Sequence, residues 1–70
     1  MTISQSQASA RAVQAFITCV SQGRAGVPER RAIERHLGPL PESIARTIDR
    51  GIGTVRTAAE LRRIAQTRLS

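Results

Sequence analysis

The residues best suited to chemistry in this 70-residue chain are its arginines. All eleven basic side chains are arginine, and against five acidic residues they give a formal net charge of +6 and a pI near 11.8. A guanidinium presents five N–H donors in a planar fork that matches phosphates, carboxylates and the edge of guanine. Such an excess of positive charge favours an acidic partner, and nucleic acid, with duplex DNA preferred, is the first expectation.

The other reactive side chains do not form a catalytic or metal-binding set. Cys19 and His36 are each the only residue of their type, which excludes an internal disulfide and a usual structural zinc site. The acids include no close pair on an apolar background, so carboxylate catalysis is not indicated. We expect His36 to be a partly buried structural histidine and Cys19 a small buried hydrophobe. The sequence predicts no enzyme, no cofactor and no metal, and a single reduced thiol fits the cytoplasm.

Apolar periodicity divides the chain into four predicted helices. The clearest stripe recurs at i, i+3, i+4 and i+7 and comprises Val13, Phe16, Ile17 and Val20. Further helices are predicted over 28–38, over 41–51 and from a capping box at 57–60. Because no useful strand pattern occurs, the predicted class is all-α, a small four-helix domain with a helix-turn-helix-like core. Residues 1–6 are expected to be a frayed N-terminus and residues 7–70 a single domain.

The first helix is also the candidate interface of the chain. A domain of this length buries only about 60% of its unfolded surface, and Phe16 is its only aromatic residue. We therefore expect a marginal core and a homodimer. The nearly uncharged stripe Val13, Phe16, Ile17 and Val20 is the candidate seam for a second copy or a partner protein, and the sequence leaves open whether it packs within the chain instead. No run approaches 18 apolar residues, so no membrane span is predicted.

The arginines of the three later helices divide into paired and free groups. Acids one turn away predict the pairs Arg30–Glu34, Glu42–Arg46 and Glu60–Arg63. Arg56 precedes the predicted cap at Thr57, so its spacing to Glu60 is not expected to be a helical pair. The arginines expected to stay free for phosphate contacts are Arg35, Arg50, Arg56 and Arg62.

The segment 25–51 carries a recognisable plan of helix, tight turn and short helix. Its marks are Leu37-Gly38 in the turn, Ser43-Ile44 and Arg46 in the third helix, and the closing Asp49-Arg50-Gly51. In these it resembles the Cro/repressor-type helix-turn-helix domains, although Glu34 stands where that family usually has a small residue. The resemblance implies that the third helix enters the major groove, where Arg46 would read guanine. It also implies a transcriptional regulator or accessory factor of phage or plasmid type.

The residues predicted to contact nucleic acid follow from charge and resemblance together. They are Arg31, Arg35, Glu42, Ser43, Arg46, Arg50, Arg56 and Arg62. A competing resemblance covers 44–61, where Gly51-Ile52-Gly53 lies between two helices and Ala58 follows. It is similar to a helix-hairpin-helix, whose loop amides bind a DNA phosphate without reading sequence. An ordinary helix end followed by a loop explains the same glycines.

A different class of function also fits the composition. A small helical inhibitor or adaptor would dock on an acidic protein partner through its arginine face or its apolar first helix. The salt dependence of binding separates the two classes, because phosphate neutralisation weakens steeply as salt rises.

Overall fold

The computed structural model describes residues 5–69, which fold into four α-helices without a strand. The helices are α1 (Gln5–Ser21), α2 (Val27–Leu37), α3 (Glu42–Asp49) and α4 (Val55–Leu69). The predicted all-α class is therefore confirmed. α1 packs most extensively on α4, α2 contacts the other three helices, and α3 packs mainly on α2. Of the predicted frayed terminus, residues 1–4 lie outside the described residues, and α1 already includes residues 5 and 6.

The core is aliphatic and receives side chains from every helix. Its buried members are Val13, Ile17, Val20, Ala25, Ile33, Leu37, Leu40, Ile48, Ala58 and Leu61. Three of the four stripe residues of α1 (Val13, Ile17 and Val20) are at most 1% exposed. They are occupied inside the chain and are not the open interface that the sequence led us to expect. Phe16 lies half-buried at the edge of the core, so of the four stripe residues it keeps the most accessible surface.

Glycine and proline set the ends of α2 and the start of α3. The Glu29 carboxylate accepts a hydrogen bond from the Gly26 amide at 3.2 Å, which closes the first turn of α2. Gly38 ends that helix with φ at +82°, a conformation that glycine adopts without a steric penalty. Four residues, 38–41, then connect α2 to α3. This short connection places α3 directly beside the helix that precedes it.

The start of α4 differs from the prediction by one turn at most. The helix begins at Val55, and Thr54 and Thr57 cap it reciprocally. The Thr54 amide donates to Thr57 Oγ1 at 3.2 Å, and the Thr57 amide donates to Thr54 Oγ1 at 3.4 Å. Thr54 is therefore the N-cap, and Thr57 is the third residue of the helix and not its cap. In this capping box the Thr57 hydroxyl takes the place of the usual Glu side chain. Arg56 consequently lies inside α4, so its spacing to Glu60 is helical after all, although no ion pair joins them.

Candidate nucleic-acid interface

α3 is a short helix with one buried side and one fully exposed side. Ile48 is buried against the core and Ile44 is half-buried, whereas Glu42, Ser43, Arg46 and Arg50 are all exposed. At 100° per residue, these four positions fall within an arc of about 100°, with Arg50 at the helix C-cap. The structure thus brings half of the predicted contact residues onto one side of one helix. We call these four residues the α3 outer face.

A single ion pair crosses the α3 outer face. Arg46 Nη2 donates to Glu42 Oε1 at 2.6 Å, and the two side chains are 67% and 80% exposed, which confirms this predicted pair. Exposed pairs of this kind contribute little to stability because water competes for both charges. Arg46 can therefore exchange the carboxylate for another acceptor at small cost.

The inner edge of α3 is tied to α2 by Arg30. Its guanidinium donates from Nε to Asp49 Oδ1 at 2.8 Å and from Nη2 to Asp49 Oδ2 at 3.2 Å. The same group donates from Nη1 to Glu34 Oε1 at 2.7 Å, which confirms the predicted Arg30–Glu34 pair. The bonds to Asp49 and then to Glu34 raise the pKa of Arg30 further above its ordinary value. Asp49 is 19 positions away along the chain, so no helical spacing could have indicated it.

Glu34 connects the same cluster to the turn between α2 and α3. Its second carboxylate oxygen, Oε2, accepts the backbone amide of Leu40 at 3.0 Å. That bond, followed by the one from Arg30, holds the pKa of Glu34 below its usual value. Glu34 thus bridges α2 to the turn. At this position the Cro/repressor-type domains that the segment resembles usually have a small residue. We call Arg30, Glu34, Asp49 and the Leu40 amide the α2–α3 clamp.

The turn has a second support, which helical spacing did not indicate. Arg68, near the end of α4, donates from Nη1 to the carbonyl oxygens of Leu37 at 3.0 Å and Pro39 at 2.6 Å. The last carbonyls of a helix lack intrahelical donors, and the turn is rich in proline, which has no amide hydrogen to offer. An arginine from elsewhere in the chain is a natural donor for them. The turn is therefore held by Glu34 on one side and by Arg68 on the other.

The remaining predicted arginines lie on three different elements. Arg31 and Arg35 are exposed on α2, and Arg56 is exposed in the first turn of α4. Arg62 is half-buried and lines a groove between α1 and α4, to which α3 contributes no residue. The structure therefore separates Arg62 from the α3 outer face, although both were predicted to contact nucleic acid.

Most of the acidic groups are already engaged inside the chain. Glu29 accepts the Gly26 amide, Glu34 and Asp49 belong to the α2–α3 clamp, and Glu42 pairs with Arg46. Glu60 has no such partner, and the predicted Glu60–Arg63 pair does not form. Within residues 5–69, the arginines with no side-chain hydrogen bond or ion pair are Arg11, Arg24, Arg31, Arg35, Arg50, Arg56, Arg62 and Arg63. The excess positive charge is thus free to meet an external anion.

The two loop glycines are explained by packing and helix ending. The Gly51 amide donates to Ile48 O at 2.9 Å and the Ile52 amide to Thr47 O at 3.3 Å, so both serve the end of α3. A Cβ on Gly53 would lie 2.7 Å from Val20 Cγ1 and 2.8 Å from Val20 O. Since these amides already have acceptors and Gly53 is needed for contact with α1, the loop is a poor phosphate cradle.

His36 and Cys19 lie outside the α3 outer face. His36 is exposed, and not partly buried as expected, because the buried side of α2 is taken by Ile33 and Leu37. Its Nδ1 lies 3.3 Å from Ser9 Oγ on α1. Cys19 is a free thiol, half-buried against the core.

Comparisons with known proteins add no relative. No family model, curated protein or solved structure matches the chain. Within the described residues, no group of three His, Cys, Asp or Glu side chains is placed to hold a metal ion. None of the four helices has both the length and the apolar character that crossing a bilayer requires.

Proposed function

We propose that this chain is a small DNA-binding protein that inserts α3 into the major groove, as a transcriptional regulator or accessory factor of phage or plasmid type. The observation that carries the proposal is the α3 outer face, which is polar, exposed and mounted on a rigidly held helix. An α-helix with its side chains is about 10–12 Å across, which fits the roughly 12 Å width of the major groove, and the eight residues of α3 give about 12 Å of helix to lie in it.

The side chains of the α3 outer face suit the edges of bases. Arg46 offers a bidentate fork for O6 and N7 of guanine, and its exposed partner Glu42 is released easily. Once released, Glu42 can accept a hydrogen bond from the amino group of cytosine, and Ser43 can donate or accept. This combination favours recognition of a G·C pair near the start of α3.

The neighbouring arginines suit the sugar–phosphate backbone. Arg31 and Arg35 on α2, Arg50 at the end of α3 and Arg56 at the start of α4 are all exposed and without internal partners. Phosphate contacts from such residues position a protein on duplex DNA without reading its sequence. We assign Arg46 to base reading and these four to positioning.

The test is a selection of bound duplexes from a random pool, followed by fluorescence anisotropy on a selected and a scrambled duplex. We expect Arg46→Ala to weaken the selected duplex by about 1–3 kcal/mol and to relax the preference at one base pair. Arg35→Ala should weaken both duplexes alike. Arg11→Ala, which removes the same charge from α1, is the matched control and should change specific binding least.

Two results would count against the proposal. An equal loss on both duplexes for Arg46→Ala would remove α3 as the reading helix, and no binding even at low salt would remove nucleic acid as the partner.

A homodimer, which we also propose, would appear as two half-sites about 34 Å apart in the selected sequences. It would also appear as twice the chain mass of 7.6 kDa in sedimentation.

A further inference from the structure

A groove runs between α1 and α4 on a part of the molecule that α3 does not reach. It has a volume of about 490 Å³, and its lining includes Ala10, Gln14, Arg62, Ala65, Gln66 and Leu69. The lining spans positions 10–17 on α1 and 62–69 on α4, so the groove is about 10 Å long, or two helical turns. Its floor is aliphatic, and the amides of Gln14 and Gln66 stand along its edges.

One charge lies in this apolar setting without a partner. Arg62 is half-buried, and no carboxylate or carbonyl of the described residues bonds to its guanidinium. α1 contains no acidic residue, and the only acid of α4, Glu60, does not line the groove. A partly desolvated guanidinium gains most from a carboxylate that offers two parallel acceptors. The groove therefore offers a cation beside an apolar surface, and the ligand complementary to both is an anion attached to an apolar body.

A second copy of the chain is a poor source of that anion. Four of its five acids are engaged in internal hydrogen bonds or ion pairs, and the copy would bring its own charge of +6. Placing two such grooves together would set Arg62 near like charges, which costs free energy at an interface. The occupant with complementary charge is another molecule.

From these contacts we infer that the groove binds an acidic amphipathic helix of a partner protein. Two turns of such a helix place apolar side chains at i, i+4 and i+7 on one side, which matches the length of the groove. The small side chains of Ala10 and Ala65 let a helix backbone approach, and a carboxylate one turn from the apolar anchors reaches Arg62. Because α3 lines no part of the groove, this helix and a DNA duplex can be bound together. The inference does not depend on the proposed function.

The probe is a fluorescein-labelled 16-residue alanine-based peptide with leucine at i, i+4 and i+7 and glutamate on both flanks. A second peptide with glutamine for every glutamate is its control. We expect the acidic peptide to shift the amide resonances of Ala10, Gln14, Ala65, Gln66 and Leu69. Arg62→Gln should weaken its binding about tenfold, the equivalent of one charged hydrogen bond. Arg63→Gln, one position further along α4 and outside the groove, should change binding less than about twofold.

Circular dichroism of each variant separates loss of binding from loss of fold, and Arg62→Lys should restore part of the affinity because it keeps the charge. The inference is overturned if the shifts fall on α2 and α3, or if the glutamine peptide binds equally well. It is also overturned if oleate fills the groove while the peptide does not, since that result would define a lipid site. Self-association that protects the same amides without peptide would instead assign the groove to a second copy.

Discussion

The two halves of this molecule differ in the contacts that hold their helices together. α1 and α4 meet through close-packed aliphatic side chains, whereas α2 and α3, which also bury Ile33 and Ile48 in the core, are joined in addition by the α2–α3 clamp and by the bonds of Arg68 to their turn. Aliphatic burial is strong but has no preferred direction, whereas hydrogen bonds to charged groups are directional. We infer that the α1–α4 half supplies stability and that the polar half sets the orientation of a helix too short to be stable alone.

The largest effect should follow from opening the aliphatic half. Ile17 is 1% exposed and among the largest fully buried side chains, so Ile17→Ala should cost about 2–5 kcal/mol and unfold much of the population. Phe16→Ala removes a larger side chain but from the half-buried edge of the core, and it should cost less than Ile17→Ala. Urea melts followed by circular dichroism measure both variants. A larger loss for Phe16→Ala would show that the aromatic ring, and not the aliphatic interior, carries this half.

Sequence periodicity recovered most of the aliphatic half but little of the polar one. The spacing of Val13, Ile17 and Val20 predicted a helix and its inner stripe, because packing repeats along one helix with a fixed period. The same spacing could not tell core from interface, since an apolar stripe looks identical whether α4 or another chain covers it. The partner helix is a property of the fold and not of the local sequence.

The polar half depends on contacts between distant positions. Helical spacing predicted the Arg30–Glu34 and Glu42–Arg46 pairs but not the bonds from Arg30 to Asp49 or from Arg68 to the turn. In the sequence, Glu34 stood where Cro/repressor-type domains usually have a small residue. The structure explains the glutamate, because its carboxylate accepts the Leu40 amide of the turn. The composition of the α3 outer face was predictable from the sequence, whereas the hydrogen bonds that fix the position of α3 were not.

An intermediate effect should appear when Glu34 loses its charge. Its pKa is lowered in the folded chain, so it contributes stability that is present above its unfolded pKa, near 4.5, and that is lost as pH falls through the lower folded value. Glu34→Gln should be less stable than the parent at pH 7, and the difference should shrink as the pH falls below about 4.5. Urea melts across this range measure it. Glu60→Gln is the control, because Glu60 has no partner; an equal change in that variant would show a general charge effect.

The smallest effect on stability should come from Arg68→Ala. This variant is also the sharpest test of the difference between the α1–α4 half and the α2–α3 half. Arg68 is exposed, so Arg68→Ala should change the melting temperature little, and about as much as Arg63→Ala on the same helix. Its loss leaves the carbonyl oxygens of Leu37 and Pro39 without their donor, and the turn between α2 and α3 should open more often. Amide exchange should therefore quicken at Gly38 and Leu40 in Arg68→Ala and not in Arg63→Ala. Unchanged amide exchange at Gly38 and Leu40 in Arg68→Ala would mean that the α2–α3 clamp alone holds the turn. A large fall in the melting temperature of this variant would mean that the polar half contributes stability as well as orientation.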